Sequence, residues 1–284
     1  MWTRLRTYAG FVRFSHSVFA LPFALVGALL AGRTTPLTPA RVGWIVAAMV
    51  TARSAAMGFN RLVDWRYDAA NPRTATRELP RGAMTAAEAI AFVVIASALF
   101  VYSAYRLGPI CFVLSPIALA IVFWYSLAKR VTWSTQLFLG LAMAVAPVGG
   151  WIAAGGGWSR EPVLLGLAIG TWVGGFDILY ACQDLEFDRG HGLRSVPVRF
   201  GVPASLAISR ALHAVTVVCL AALGVVAGLG PVYHAGSALV GMLLVYEQSL
   251  VSADDLSQVK RAFDLNGYVG LLYLLTTGAA LYVG

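Results

Sequence analysis

The stretch Asn60-Arg-Leu-Val-Asp64-Trp-Arg-Tyr-Asp68-Ala-Ala-Asn71-Pro72-Arg73 ends a long apolar run, and Asp184-Leu-Glu-Phe-Asp188 ends another. In both, the acids stand four residues apart. On a helix that spacing stacks them on one face, a turn apart. Stacked carboxylates repel unless a cation or a donor compensates. Acids at the margin of a membrane span are costly, and by default they are functional. A hard divalent cation shared with a phosphate-bearing ligand is the natural compensator. Mg²⁺ takes one or two carboxylates and completes its octahedron with water and phosphate oxygens.

The surroundings of these acids decide the fold class. Of 284 residues, 59% are hydrophobic and 12% charged, and the mean hydropathy is +0.74. Soluble domains carry about 25% charged residues, so a soluble fold is excluded. The pattern predicts an all-α polytopic membrane protein. Nine spans are expected at 15–32, 42–63, 86–105, 108–128, 135–154, 163–183, 204–229, 232–251 and 264–283. Connections are short, so 1–284 reads as a single domain around a central cavity.

Basic residues orient it. With a cytoplasmic N-terminus, that side receives sixteen of them: Arg4, Arg6, Arg13, Arg61, Arg66, Arg73, Arg77, Arg81, Lys129, Arg130, Arg189, Arg194, Arg199, Arg210, Lys260 and Arg261. The far side receives Arg33, Arg41, Arg106 and Arg160, and Arg53 lies within the second span. This positive-inside bias accounts for the net charge of +8 without a nucleic-acid partner. It also puts both acidic motifs at the cytoplasmic face of a cell membrane.

Other features carry less. The first span is too long for a signal peptide and lacks a clear cleavage site. Cys111, Cys182 and Cys219 are isolated and have no metal-ligand spacing. His213 and His234 read as single polar residues in packed helices. Gly149-Gly150, Gly155 to Gly157 and Gly174-Gly175 permit close helix approach or bends. Each acidic motif precedes a polar loop containing proline and arginine, a weak sign of duplication.

Asn60, Asp64 and Asp68 span about 12 Å of helix axis, a length suited to a diphosphate with its metals. Asp177, seven residues before Asp184, is expected on the same face, two turns deeper. Glu186 is expected in solvent. Arg73, Arg77, Lys129 and Arg194 are candidate diphosphate ligands, because arginine and lysine complement phosphate charge. The competing reading is plainer: interfacial ion pairs such as those offered by Arg61 and Arg66, and surface cations that only set topology.

Asn60 to Thr74, continuing to Arg77-Glu-Leu-Pro80, resembles the first aspartate signature of the UbiA superfamily of intramembrane prenyltransferases. Tyr180-Ala-Cys-Gln-Asp184-Leu-Glu-Phe-Asp188 resembles its second, and Tyr125-Ser-Leu-Ala-Lys129-Arg130 its tyrosine-to-lysine stretch. The likeness covers nearly the whole chain. Phe14 to Pro22 and Gly192 to Gly201 resemble the branch that prenylates aromatic carboxylates for quinones: 4-hydroxybenzoate polyprenyltransferases and the MqnP-like enzymes of the futalosine route to menaquinone. The second motif lacks the extra aspartates of some 4-hydroxybenzoate enzymes, which favours a dihydroxynaphthoate acceptor.

The resemblance implies Mg²⁺-dependent transfer from a polyprenyl diphosphate. Asp64, Asp68, Asp184 and Asp188 would be the catalytic metal ligands, with Asn60 beside them. Aromatic walls would shield an allylic cation; Tyr125 and Tyr180 lead the candidates, with Phe14, Phe59, Trp124 and Phe176. Arg53 would bind the acceptor carboxylate, with Asp177 as its counter-ion or as a partner for a substrate hydroxyl. A plain Arg53–Asp177 structural pair is the alternative. A different class, a secondary transporter or Mg²⁺-coupled carrier, would place its charges near the bilayer centre. Here they sit at one face.

Overall fold

Helix starts follow the capping residues. Thr38 accepts the Arg41 amide at 3.2 Å ahead of Pro39. Thr85 and Glu88 form a reciprocal capping box, and Ser195 caps a helix with Pro at its start. The computed structural model describes residues 7, 8, 10–12 and 20–283. Its helices are α1 (Leu21–Ala31), α2 (Pro39–Ala70), α3 (Ala86–Leu107), α4 (Pro109–Ala128), α5 (Thr135–Ala153) and α6 (Arg160–Ala181). A 3₁₀ turn, Cys182–Asp184, leads into the short α7 (Leu185–Gly190), followed by α8 (Val196–Val226), α9 (Pro231–Ser249) and α10 (Val259–Val283).

Each expected span overlaps one of nine helices among the described residues, so the all-helical membrane architecture holds. Residues 15–19 of the first span lie outside the described residues, as do Arg4, Arg6, Arg13 and Phe14. Among the described residues, six helices are by length and composition able to cross a membrane: α2 to α5, α6 with α7, and α8. Helix α1 is described over 11 residues only. Helices α9 and α10 carry buried polar side chains, Glu247, Asn266 and Thr277, which lower their apolar content.

Two boundaries differ from expectation in ways that matter. Helix α2 runs past the expected span end at 63 to Ala70, and so carries Asn60, Asp64 and Asp68 on one helix, as their spacing predicts. The seventh span starts earlier than 204, at Val196, and bends at Gly201 (φ 77°) just before Pro203. That left-handed backbone favours glycine.

The bundle closes through small residues. A Cβ at Gly150 of α5 would collide with the Ala24 carbonyl of α1, and one at Gly27 of α1 with the Pro147 carbonyl. Gly140 of α5 meets the Gly170 carbonyl of α6 in the same way. Backbones this close are the usual basis of helix association in lipid. Phe23 and Trp172 then meet at 5.0 Å in the core. Gly150→Val is expected to force α1 from α5 at a cost of about 2 kcal/mol or more. Thermal unfolding in detergent checks this, with Gly149→Ala as control: a Cβ at Gly149 meets nothing within 4 Å.

Prolines inside α4 and α5, Pro116 and Pro147, each remove a helical hydrogen bond. In α4 the Ser115 hydroxyl donates to the Phe112 carbonyl at 2.8 Å and satisfies the freed acceptor, as a membrane helix requires.

Candidate active site

The first acidic motif is built by the end of α2. Asn71 precedes a proline, which disfavours helix at Asn71 itself, and the chain turns there. The Asn71 side chain accepts the Arg73 amide at 2.9 Å, an Asx turn. The Thr74 hydroxyl reaches back to the Asp68 carbonyl at 3.0 Å. This fold-back delivers Arg73 and Arg77 to the acids. Arg77 Nη1 donates to Asp68 Oδ1 at 2.6 Å. Arg73 spans to the second motif, with Nη2 at 2.6 Å and Nε at 3.3 Å from the two Asp184 oxygens. Its Nη1 donates to the Tyr180 hydroxyl at 2.8 Å.

The end of α4 supplies the rest. Lys129 Nζ lies 2.7 Å from Asp64 Oδ2, and Arg130 Nη2 lies 2.8 Å from Asp64 Oδ1. Asn60 donates to Asp64 Oδ2 at 3.3 Å. The two motifs therefore sit at the same end of the bundle, joined through Arg73. Asp64 and Asp68 are 4% and 6% exposed. The plainer reading of these acids, ion pairing, is thus partly realised, but with Arg73, Arg77, Lys129 and Arg130. Arg61 comes only to 3.9 Å from Asp68 Oδ2, and no ion pair involves Arg66 among the described residues.

Some placements depart from expectation. Asp177 and Asp184 are not on one unbroken helix: α6 stops at Ala181 and a 3₁₀ turn intervenes, whereas Asp184 is the N-cap of α7 and Asp188 lies four residues on within it. Arg194 is not at the acids. Its guanidinium donates to the Val131 carbonyl and its amide to the Lys129 carbonyl at 2.7 Å, so it braces the Lys129–Arg130 turn. Arg130, absent from the expected ligands although adjacent to Lys129, takes that place. Glu186 is exposed and pairs with Arg189, as anticipated. His213 is a bonded core residue, between the Trp172 carbonyl and Gln248.

From this charged end a cavity of about 520 Å³ runs into the bundle. Arg53, Asn60, Arg73, Arg77, Tyr125, Phe176, Asp177 and Tyr180 line it near the acids. Farther in the wall is almost entirely apolar, ending near Ile45, Leu107 and Cys111. Phe59 and Trp124 turn away: Phe59 stacks on Phe123 at 4.5 Å, and Trp124 packs on Phe138 at the surface. Phe263 of α10 lines the cavity and was invisible to motif reading, because no charge or spacing marks it. Arg53 and Asp177 form no ion pair among the described residues. Arg53 Nε is buried without a hydrogen-bond partner, so the structural-pair alternative is not what the fold builds.

The donor set fits Mg²⁺. Asp68 Oδ2 is buried and makes no hydrogen bond. Among the described residues no three His, Cys, Asp or Glu side chains converge on one point. Two carboxylates at a time, completed by water and phosphate oxygens, is how Mg²⁺ is ordinarily held.

A model of the UbiA prenyltransferase family matches residues 20–275. The 4-hydroxybenzoate octaprenyltransferase of Citrobacter koseri is 32% identical over 246 residues, covering 85% of this chain and 84% of the relative. That of Vibrio parahaemolyticus is 34% identical over 224 residues, covering 78% and 77%. The apo structure of a UbiA homologue from Aeropyrum pernix superposes with TM-score 0.85 at 36% identity, covering 95% of this chain and 98% of the other. A UbiA homologue from Archaeoglobus fulgidus bound to GPP and Mg²⁺ shares the fold, with TM-score 0.76 at 20% identity over 97% and 99%.

Proposed function

This chain belongs to the UbiA prenyltransferase family, and we propose that it transfers a polyprenyl group from a prenyl diphosphate to an aromatic carboxylate in quinone biosynthesis, with its acidic end facing the cytoplasm. The observation that carries the acceptor class is Arg53. A guanidinium with a buried, unbonded Nε on the wall of an apolar cavity is costly. A carboxylate is the ligand whose geometry answers it. Arg53 stands seven residues before Asn60 on the same helix, about 10 Å along the axis. An acceptor held there presents its ring between Arg53 and the diphosphate end.

Mg²⁺, held by Asp64, Asp68, Asp184 and Asp188, would neutralise charge on the departing diphosphate. Arg73, Arg77, Lys129 and Arg130 share that load and fix the diphosphate against the acids. The C–O bond breaks with its electron pair leaving on the diphosphate. Tyr125, Phe176 and Tyr180 enclose the allylic cation in a dry pocket. The acceptor ring supplies the pair for the new C–C bond and loses a proton. Asp177, on the cavity wall, orients the acceptor hydroxyl.

4-Hydroxybenzoate is the first acceptor to test, given the names of the relatives. A dihydroxynaphthoate is the second, favoured by the second motif, in which Glu186 stands without further aspartates. Mass spectrometry of products from the purified protein, a polyprenyl diphosphate and a panel of aromatic acids separates them. In the same assay Arg53→Ala is expected to raise the acceptor KM about tenfold or more, the value of one charge-assisted pair, and to leave the prenyl diphosphate KM near wild type. An unchanged acceptor KM removes Arg53 from the site. Transport of Mg²⁺ without diphosphate release would restore the carrier reading.

A further inference from the structure

Three buried polar side chains lie outside the chemistry described above. The Trp172 indole donates to Asn266 Oδ1 at 2.7 Å, and the Asn266 amide donates to Glu247 Oε1 at 3.1 Å. Trp172 and Glu247 are 1% exposed and Asn266 is fully buried. The triad links α6, α10 and α9. No Lys, Arg or His forms an ion pair with Glu247 among the described residues. Polar groups at such positions are costly unless bonded to one another, and apolar packing would hold three helices together without them.

What the triad adds is one turn away. The Asn266 amide also reaches the carbonyls of Ala262 at 3.2 Å and Phe263 at 3.3 Å, so it fixes the turn that bears Phe263. The Phe263 ring stands edge-on to Phe176 at 5.6 Å and 4.7 Å from the Tyr180 ring. All three line the cavity. At the other end of the triad, the Trp172 ring packs edge-on against the same Phe176 at 5.3 Å. Tyr180 in turn holds the Arg73 guanidinium that bridges to Asp184. The buried triad therefore braces one aromatic group from two sides, directly beside the diphosphate end.

We propose that Phe263 is a further aromatic wall of the reacting centre, beside Tyr125, Phe176 and Tyr180, and that Glu247 and Asn266 are its positioning residues. This rests on the prenyl-transfer reading and names what keeps water out of it. Once the C–O bond to diphosphate has broken, two nucleophiles compete. The acceptor ring carbon gives up a π pair to form C–C and loses its proton. Water gives up a lone pair to form C–O, loses a proton and leaves a prenyl alcohol. A ring face over the cation stabilises it without bonding to it and occupies the space water would take.

The experiment counts both products. Purified protein in detergent is given geranyl diphosphate, Mg²⁺ and 4-hydroxybenzoate, and the prenylated acid and geraniol are separated by chromatography. No diphosphate release by wild type, with this or any other aromatic acid, would defeat the prenyl-transfer reading itself. With wild type active, Phe263→Leu is expected to lower kcat for the prenylated acid about tenfold, to raise the geraniol share severalfold and to leave the acceptor KM unchanged. Glu247→Gln keeps an acceptor oxygen within reach of Asn266 and is expected to partition as wild type does. Glu247→Leu and Asn266→Leu are expected to shift the partition as Phe263→Leu does; where either fails to purify folded, Asn266→Ser is read in its place. An unchanged partition in Phe263→Leu overturns the wall. A shifted Phe263→Leu beside wild-type partition in the folded Glu247 and Asn266 variants overturns the positioning role.

Discussion

Asp64→Asn is expected to lose nearly all prenyl transfer in a protein that still folds. The substitution is asparagine rather than alanine because of what surrounds the carboxylate. Asn60, Lys129 and Arg130 all donate to Asp64. Alanine would strand two cations in a nearly closed site, and breaking a buried pair by removing one partner costs several kcal/mol. The variant would then be inactive through instability. Asparagine leaves one carbonyl oxygen for Lys129 or Arg130 and removes only the charge and the second oxygen. A carboxylate that shares Mg²⁺ with a diphosphate cannot be replaced in this way. Loss of a single donor at a developing charge is worth about 10²–10³-fold in kcat, so the expected fall is about 1,000-fold or more. Diphosphate release measured across a Mg²⁺ titration checks it. Wild type is expected to stop in excess EDTA, and the variant is expected not to recover at any Mg²⁺ concentration. Glu186→Gln, an exposed acid in the same motif, stays near wild type. Full turnover in Asp64→Asn would return the first motif to a purely structural role.

Much of this was legible in the chain. Two acids four residues apart, at the end of an apolar run, placed the charged end of the bundle. Span counting places nine of the helices among the described residues, because hydropathy is additive along a segment. The failures share a cause: they depend on where the backbone turns or on which helix comes alongside. Apolar counting ends the second span at 63 because Asp64 and Asp68 lower local hydropathy, while the spacing of the acids carries the helix on until Asn71-Pro72 stops it. Periodicity alone runs Asp177 and Asp184 on one helix, since nothing in Cys182-Gln183-Asp184 announces the 3₁₀ turn between them. Arg194 was grouped with the phosphate ligands by charge alone, whereas the turn at Lys129–Arg130 captures its guanidinium on a carbonyl. Lys129 and Arg130 are adjacent cations at the end of α4, and nothing in their order shows that both reach Asp64. Phe263 carries no sequence signal. Only the packing of α10 against α6 makes it a cavity wall.

The second large effect falls on Arg73, and its size depends on shape more than charge. Arg73 presents Nε and Nη2 to the two oxygens of Asp184 and Nη1 to the Tyr180 hydroxyl, while its guanidinium carbon lies 5.3 Å from the Tyr180 ring centroid. Three donors in one plane thus tie the first motif's loop to the second motif and to an aromatic wall. Lysine keeps the charge but offers a single point and no fork. Arg73→Lys is therefore expected to lose about 100-fold in kcat/KM for the prenyl diphosphate, in the range of one bidentate charge-assisted contact together with the positioning it provides. Arg77 supplies the comparison. It meets Asp68 through Nη1 alone, and its Nε has no partner, so an ammonium reproduces most of what it gives, and Arg77→Lys is expected to lose about tenfold or less. Steady-state kinetics of the two variants, with prenyl diphosphate varied at saturating acceptor, set one against the other. Equal losses would mean that both arginines act as point charges. A far larger loss at Arg73 means that the two acidic motifs work as one site only while a planar strut holds them at a fixed separation.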